Sequence, residues 1–215
     1  MNHSELQVRG LTDPQLSVHA TSALPVWLWA TDGTRILWAN PVGARVFGAA
    51  NGTGLARRTF GPADAHRRQI AQLAGRLPAN GAIRHERLSG FGASLGSLMT
   101  CGCARLNFFD RNHFSSNGGI LIVAHAARPT MPLTDRLQQL LEGVDAPIAA
   151  FTRDGMLVGT SDAARRLLGF SNLGEAGLED ARNEALKHGR AETSVGAGHW
   201  YCGGSARAPT WHWLP

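Results

Sequence analysis

The sequence predicts an α+β fold: a five-stranded antiparallel sheet with helices inserted after its second strand, then a linker helix and part of a second copy of the same unit. Three observations predict it. Short apolar runs of strand length are punctuated by turn signals. A helix-spaced apolar pattern interrupts them after the second strand. Finally, the opening of the chain recurs about 120 residues later.

The recurrence is read by self-comparison. Leu11-Thr12-Asp13 matches Leu133-Thr134-Asp135, Pro25 matches Pro147, and Asp32-Gly33 matches Asp154-Gly155, all at one shift of 122. One residue fewer in the next turn brings Arg45 onto Arg166 and Gly48 onto Gly169. The apolar classes agree between these anchors, as in Ile36-Leu37 over Leu157-Val158. Common order and phase distinguish this from chance identity.

Each unit opens with a helix. Asp13 is an N-cap and Pro14 suits the first helical position, where a missing N–H costs nothing. In the second copy Leu133, Leu137, Leu140, Leu141 and Val144 mark one helical face. A strand follows, Val26–Ala30 or Ile148–Phe151, then a tight turn at Asp32-Gly33 or Asp154-Gly155. The second strand is Arg35–Ala39 or Met156–Val158. A short helix begins at Asn40 or Ser161 and stops at Gly48 or Gly169. The first copy continues with a longer helix, opened by Pro62-Ala63-Asp64, with Ile70, Leu73 and Leu77 on its apolar side and Pro78 and Asn80-Gly81 ending it. Three strands complete the copy, roughly 82–88, 94–109 and 119–127, separated by turn clusters at 89–92 and 110–118. Strands 26–30 and 119–124 are apolar on both faces, which requires cover on both sides of the sheet.

Composition narrows the class. The chain has 215 residues, 43% hydrophobic and 17% charged, enough apolar side chain to offset the entropy of ordering. No apolar run reaches the roughly 18–20 residues that cross a bilayer, and the N-terminus lacks a signal-peptide pattern. A cytoplasmic chain without membrane partners is expected. Three cysteines cannot build a disulfide framework. The net charge of +5 is carried almost wholly by arginine, with Lys187 the single lysine. These arginines are scattered as pairs, so a solvated surface is favoured over a nucleic-acid site.

With Leu24–Gly33 and Ile36–Asn40 in place, the first copy resembles a PAS domain: strand, Asp-Gly turn, strand ending in Asn, helix. The resemblance covers about residues 23–127. It implies a five-stranded antiparallel sheet used as a sensory and interaction module. The second copy matches the same opening at 146–169, and gives a helix at 178–188 and a strand at 191–195. A full unit counted from Pro147 would pass the C-terminus by about 30 residues if it kept the length of the first. The expected organisation is therefore an N-terminal helical cap (1–22), a PAS domain (23–128), a linker helix (129–146), an incomplete second PAS domain (147–195) and an irregular tail (196–215).

Tandem PAS units resemble the N-terminal sensory region of bacterial, alphaproteobacterial-like, histidine kinases. The resemblance implies a two-component phosphorelay, homodimerisation or pairing with other PAS or kinase proteins, and a small-molecule ligand. The stripe at Leu137, Leu140, Leu141 and Val144 is the expected dimer contact. No phospho-acceptor His box, ATP lid, Walker loop or nucleophile motif is present in the chain. A non-catalytic sensor is the leading reading; a haem- or redox-sensing PAS protein and an Arg-rich nucleic-acid-associated regulator are the alternatives.

Four sets of residues invite chemistry. His66 lies on the long helix, where haem-binding PAS sensors carry an axial His, so it is the candidate cofactor ligand; capping and surface exposure also explain it, and the leading reading has no cofactor. Cys101-Gly102-Cys103 puts two thiols on one strand face, as core residues or as half of a soft-metal site. The Asn-Cys-Arg-Phe-Leu-like segment of flavin PAS photoreceptors is absent. His199, Cys202 and His212 have no usual zinc spacing. Trp27, Trp29 and Trp38 read as core or covered sheet face rather than pocket lining.

Overall fold

The computed structural model describes residues 10–11, 13–92, 97–108, 117–125, 131–195, 198–204 and 209–214. The expected strand ends at 94–96, 109 and 126–127 lie outside them. The chain divides into two compact units, 1–132 and 133–215.

The first unit contains α1 (Pro14–Ala20), β1 (Val26–Ala30), β2 (Ile36–Ala39), α2 (Pro41–Val46), α3 (Gly52–Ala56), α4 (Ala65–Arg76), β3 (Arg84–Ser89), β4 (Leu98–Phe108) and β5 (Asn117–Ala124). Its strands form one antiparallel sheet in the order β2-β1-β5-β4-β3. Trp29 lies opposite Ile120, Trp27 opposite Ile122, Ile122 opposite Cys103 and Leu88 opposite Met99. This register puts those side chains on one face, where they form a core with Leu55, Ile70 and Leu73 from the helices. The opposite face is also apolar at its centre, with Val26, Leu28, Trp38, Ala104 and Leu121 buried. Gly10 lies against that face: a Cβ there would stand 2.0 Å from the Trp38 indole nitrogen.

Local chemistry fixes the corners. Asp13 caps α1 by accepting from the Gln15 N–H at 2.8 Å, with Pro14 at the first helical position. At the β1–β2 turn the Asp32 carboxylate accepts from both the N–H and the hydroxyl of Thr34. Gly33 has φ +68°, and a Cβ there would meet the Arg67 carbonyl at 2.5 Å, so this turn takes glycine for both its backbone and its space.

The second unit contains α5 (Leu133–Leu141), β6 (Ile148–Phe151), β7 (Leu157–Thr160), α6 (Asp162–Arg165), α7 (Glu179–His188), β8 (Arg190–Val195), β9 (Gly198–Gly204) and β10 (Pro209–Leu214). Its sheet order is β7-β6-β10-β9-β8, the order of the first unit with β10 in the place of β5. The register irregularity between Leu28 and Trp29 recurs between Ala150 and Phe151. The isolated bridge Arg35–Thr59 likewise recurs as Met156–Asn172.

Two expectations are corrected here. The second copy is not incomplete, and its tail is not irregular: β9 and β10 fill 198–204 and 209–214 and close the sheet. The shortfall in length comes from shorter strands and hairpins. Strands β8 to β10 occupy 190–214, where β3 to β5 occupy 84–124. The physical drive is β6: without β10 it would keep a row of unpaired backbone groups. The second correction concerns the linker helix. Its stripe of Leu137, Leu140 and Leu141 is buried, and α5 packs on β7 and β6 of its own unit. Gly159 provides the seat, since a Cβ there would stand 3.4 Å from both the Gln138 nitrogen and Leu141 Cδ1. The stripe is thus spent inside the unit, and only Leu133 of the expected face is exposed. Among the described residues no helix is long and apolar enough to cross a membrane.

Candidate functional site

The chemistry-bearing residues of the first unit converge where α4 begins. Asp64 caps the helix by accepting from the His66 N–H at 2.8 Å. The same carboxylate oxygen lies 3.0 Å from His66 Nδ1, so one residue both starts the helix and orients the imidazole. Burial works against ionisation of Asp64, but the hydrogen bonds and charge of His66 hold its carboxyl below the usual carboxylate range. On the other side of the ring, Nε2 lies 3.3 Å from the Gly90 carbonyl. Gly90 has φ +84°, and a Cβ there would stand 2.5 Å from Nε2, so only glycine admits the ring at this point.

The imidazole closes an aromatic cluster. It lies parallel to Trp29 at 6.3 Å and meets Phe47 at 5.1 Å, Phe91 at 5.2 Å and Phe60 at 6.1 Å. Trp29 also contacts Phe60 at 4.7 Å and lies edge-on to Phe47 and Phe91. Such arrangements suit the ring quadrupoles. The His66 side chain is 23% exposed while Trp29 and Phe91 are fully buried, so the imidazole is the solvent-side wall of the cluster.

The two tryptophans of β1 differ inside it. The Trp27 indole N–H donates to the Gly43 carbonyl at 2.9 Å. The Trp29 indole N–H is buried with no acceptor among the described residues. A buried donor left unpaired costs about 1–3 kcal/mol.

The other candidates are placed as follows. Both ring nitrogens of His66 face protein acceptors, so in this arrangement neither is presented to a haem iron. Cys101 and Cys103 share the core face of β4, and each thiol points to a backbone carbonyl at 3.7 Å. Burial pushes both thiols up to about 12; the neighbouring Cys101 and Glu86 add to this at Cys103. Both thiols are packed in the core of the first unit. Trp38 is buried on the opposite sheet face. His199, Cys202 and His212 have side chains outside the described residues, though their backbones belong to β9 and β10.

Phe47, Phe60, Phe91 and Gly90 were not singled out from sequence. The signal was Phe91 between Gly90 and Gly92, inside a segment read only as a turn. Both glycines have positive φ, +84° and +88°, which bends the chain enough to bury the phenylalanine between them.

A PAS domain model matches residues 19–78 and, separately, residues 135–195. No curated protein matches the chain. Among matching solved structures, an extracellular ligand binding receptor from Desulfohalobium retbaense is 12% identical at a TM-score of 0.27. The match takes in 97% of this chain and 34% of that one, so the chain spans about a third of its length. A domain of a sensory box/GGDEF family protein from Vibrio parahaemolyticus is 9% identical at a TM-score of 0.28, covering 99% and 79% of the two chains. At these scores neither likeness carries an argument. The family rests on the domain model, which matches in both units and spans more than half of the sequence: the chain belongs to the PAS domain family.

Proposed function

We propose that this chain is a non-catalytic, cytoplasmic sensory module of two-component signalling, whose first PAS unit receives a small molecule at the Trp29–His66 cluster. The observation that carries the reading is the Trp29 indole N–H, fully buried among rings and without an acceptor in the described residues. A planar heteroaromatic ligand bearing an acceptor supplies what that donor lacks. His66, held between Asp64 and Gly90 at the edge of the cluster, is the side chain such a ligand must move past. A ligand that binds one arrangement of this wall better than another shifts its population. The change then passes along the chain to the second unit and to a downstream kinase partner. Self-association, if it serves this role, uses a surface other than the α5 stripe.

The test is a thermal-shift and fluorescence screen of planar heteroaromatic acceptors against the full chain and Trp29→Phe. The reading expects at least one compound that raises the melting temperature of the wild type by several degrees and leaves Trp29→Phe unmoved. Compounds that stabilise both proteins equally, or none at all, sink it. A Soret band in protein purified with haem supplied, lost in His66→Ala, would replace it with the haem-sensor reading.

A further inference from the structure

We propose that His85 and His125 form a two-imidazole site for a first-row divalent transition metal, on the sheet face opposite the aromatic cluster. The register places them there. Cys101 and Cys103 face the core, so Gly102 between them belongs to the other face. His85 on β3 lies opposite Gly102. Gly102 lies opposite Val123 on β5, and His125, two residues on, donates its backbone N–H to the Thr100 carbonyl at 3.0 Å. The two histidines thus come from β3 and from the residue that follows β5, and face each other across β4.

Gly102 is what lets them meet. A Cβ at that position would stand 3.2 Å from His125 Nε2, so a side chain there would compete with the ring for its space. With glycine in place, the ring centres approach to 5.4 Å at a tilt of 38°. Two imidazoles bound to one tetrahedral metal, with metal–nitrogen bonds of about 2.0–2.1 Å, have centres about 5 Å apart. The observed separation is already that of a chelating pair. Both histidines are exposed, so a hydrated ion can reach them without opening the fold. Imidazole is a borderline ligand suited to Zn²⁺, Ni²⁺ and Cu²⁺, and Cu²⁺ is expected to bind most tightly. No third His, Cys, Asp or Glu joins the pair among the described residues, so water completes the coordination. Arg87, two residues along β3, is exposed, and its charge is screened by solvent. The bound metal would tie β3 to β5 across β4. The site is independent of the ligand proposed at Trp29.

The experiment is calorimetric titration of Zn²⁺, and separately Ni²⁺, into the chelator-treated full chain, with Cu²⁺ followed by electron paramagnetic resonance. The proposal expects one equivalent whose affinity falls at least tenfold in His85→Ala and in His125→Ala, and is unchanged in His188→Ala. Gly102→Ala, checked for native circular dichroism, should weaken the same equivalent. The Cu²⁺ spectrum should show coupling to two nitrogens in the wild type and lose it in the double variant. Metal binding indifferent to both histidine substitutions, or no binding of any of the three ions, overturns the proposal.

Discussion

Asn40 and Ser161 stand at the same point of the two units, where the second strand gives way to a helix, and they do the same work with different capacity. The Asn40 carbonyl oxygen accepts from the Gly43 N–H at 2.8 Å, capping α2, and from the Val26 N–H at 3.1 Å, fixing the start of β1. Its amide nitrogen donates to the carbonyls of His19, Ser22 and Leu24. Ser161 accepts from the Ala164 and Ile148 N–H groups in the same way, but its single hydroxyl proton reaches only the Ala146 carbonyl. Both side chains are fully buried. The first unit therefore ties the last turn of α1 and the segment after it to its sheet at three carbonyls, and the second is tied at one. The cores differ in the same direction. The helix over the first sheet brings Ile70 and Leu73, whereas the helix over the second brings Ala181 and Ala185. Where His66 closes a cluster with Trp29, Phe47, Phe60 and Phe91, the second unit stacks Phe151 on Phe170 at 6.2 Å among the described residues. Over the first sheet the inserted helix meets large rings; over the second, among the described residues, it presents alanines to Phe151, Leu173 and Leu178.

The largest effect tests whether α5 belongs to the second unit alone. Placing carboxylates at Leu137 and Leu141, which are 3% and 1% exposed, puts two charges where only apolar side chains meet. Each costs several kcal/mol, so Leu137→Asp with Leu141→Asp should unfold the second unit. The six tryptophans report it, since Trp27, Trp29 and Trp38 belong to one unit and Trp200, Trp211 and Trp213 to the other. The indole signals of the second set should collapse in a nitrogen–proton NMR spectrum while those of the first persist. Loss of a dimer with all six signals native would return the stripe to an interface.

The next effect separates the two corner residues. Asn40→Ala strands two N–H groups and the carbonyls of Ser22 and Leu24, while the His19 carbonyl keeps the Ser22 N–H, at a cost of about 3 kcal/mol or more; Ser161→Ala strands fewer, at about 1–2 kcal/mol. Asn40→Ser should fall between, because a hydroxyl restores the cap without the triple donation. Urea unfolding followed by the same indole signals reads each unit separately. Equal losses at the two sites would mean that the extra amide bonds contribute nothing net.

The order of elements was legible because period and punctuation survive in both copies: α4 runs Ala65–Arg76 with Ile70 and Leu73 inward, and Asn40 and Ser161 cap where the repeat placed them. The tail falls short of the length that the first copy's long hairpins lead one to expect, although Trp200 and Cys202, then Trp211 and Trp213, recur at strand period. The aromatic cluster was only half legible. Trp29 and His66 stand out in sequence, but Phe47, Phe60 and Phe91 come from three connections whose convergence is set by the fold. The His85–His125 pair was invisible for the same reason: 40 positions apart, they meet only because β3, β4 and β5 are adjacent in the sheet.

A smaller effect sharpens the contrast within β1. Trp27→Phe and Trp29→Phe remove the same indole ring atoms from fully buried positions. The first also strands the Gly43 carbonyl, whereas the second removes a donor that has no partner. Trp27→Phe should therefore be more destabilising by about 1–2 kcal/mol. If Trp29→Phe is the worse of the two, its indole N–H has an acceptor after all, and the case for a ligand acceptor there is lost.

The smallest effect is a dependence on pH that belongs to the first unit. Leu16, His19 and Ala20 on α1 follow the i, i+3, i+4 spacing that Leu137, Leu140 and Leu141 follow on α5, so His19 takes the place of a leucine. Burial lowers its affinity for a proton below the ordinary value of 6.5. The sign follows from linkage. Below 6.5 the unfolded chain takes up a proton that the folded chain resists, so unfolding is favoured as acid is added. The contribution is complete above 6.5 and is lost as pH falls through the lower folded value. His19→Leu, which copies the second unit, removes the titrating group and buries a side chain that carries no charge. The difference in stability between His19→Leu and wild type should grow in favour of the variant from pH 7.5 to pH 5.5, as read from the indole signals of the first unit. A difference that stays constant over that range would mean that His19 titrates alike in the folded and unfolded chain.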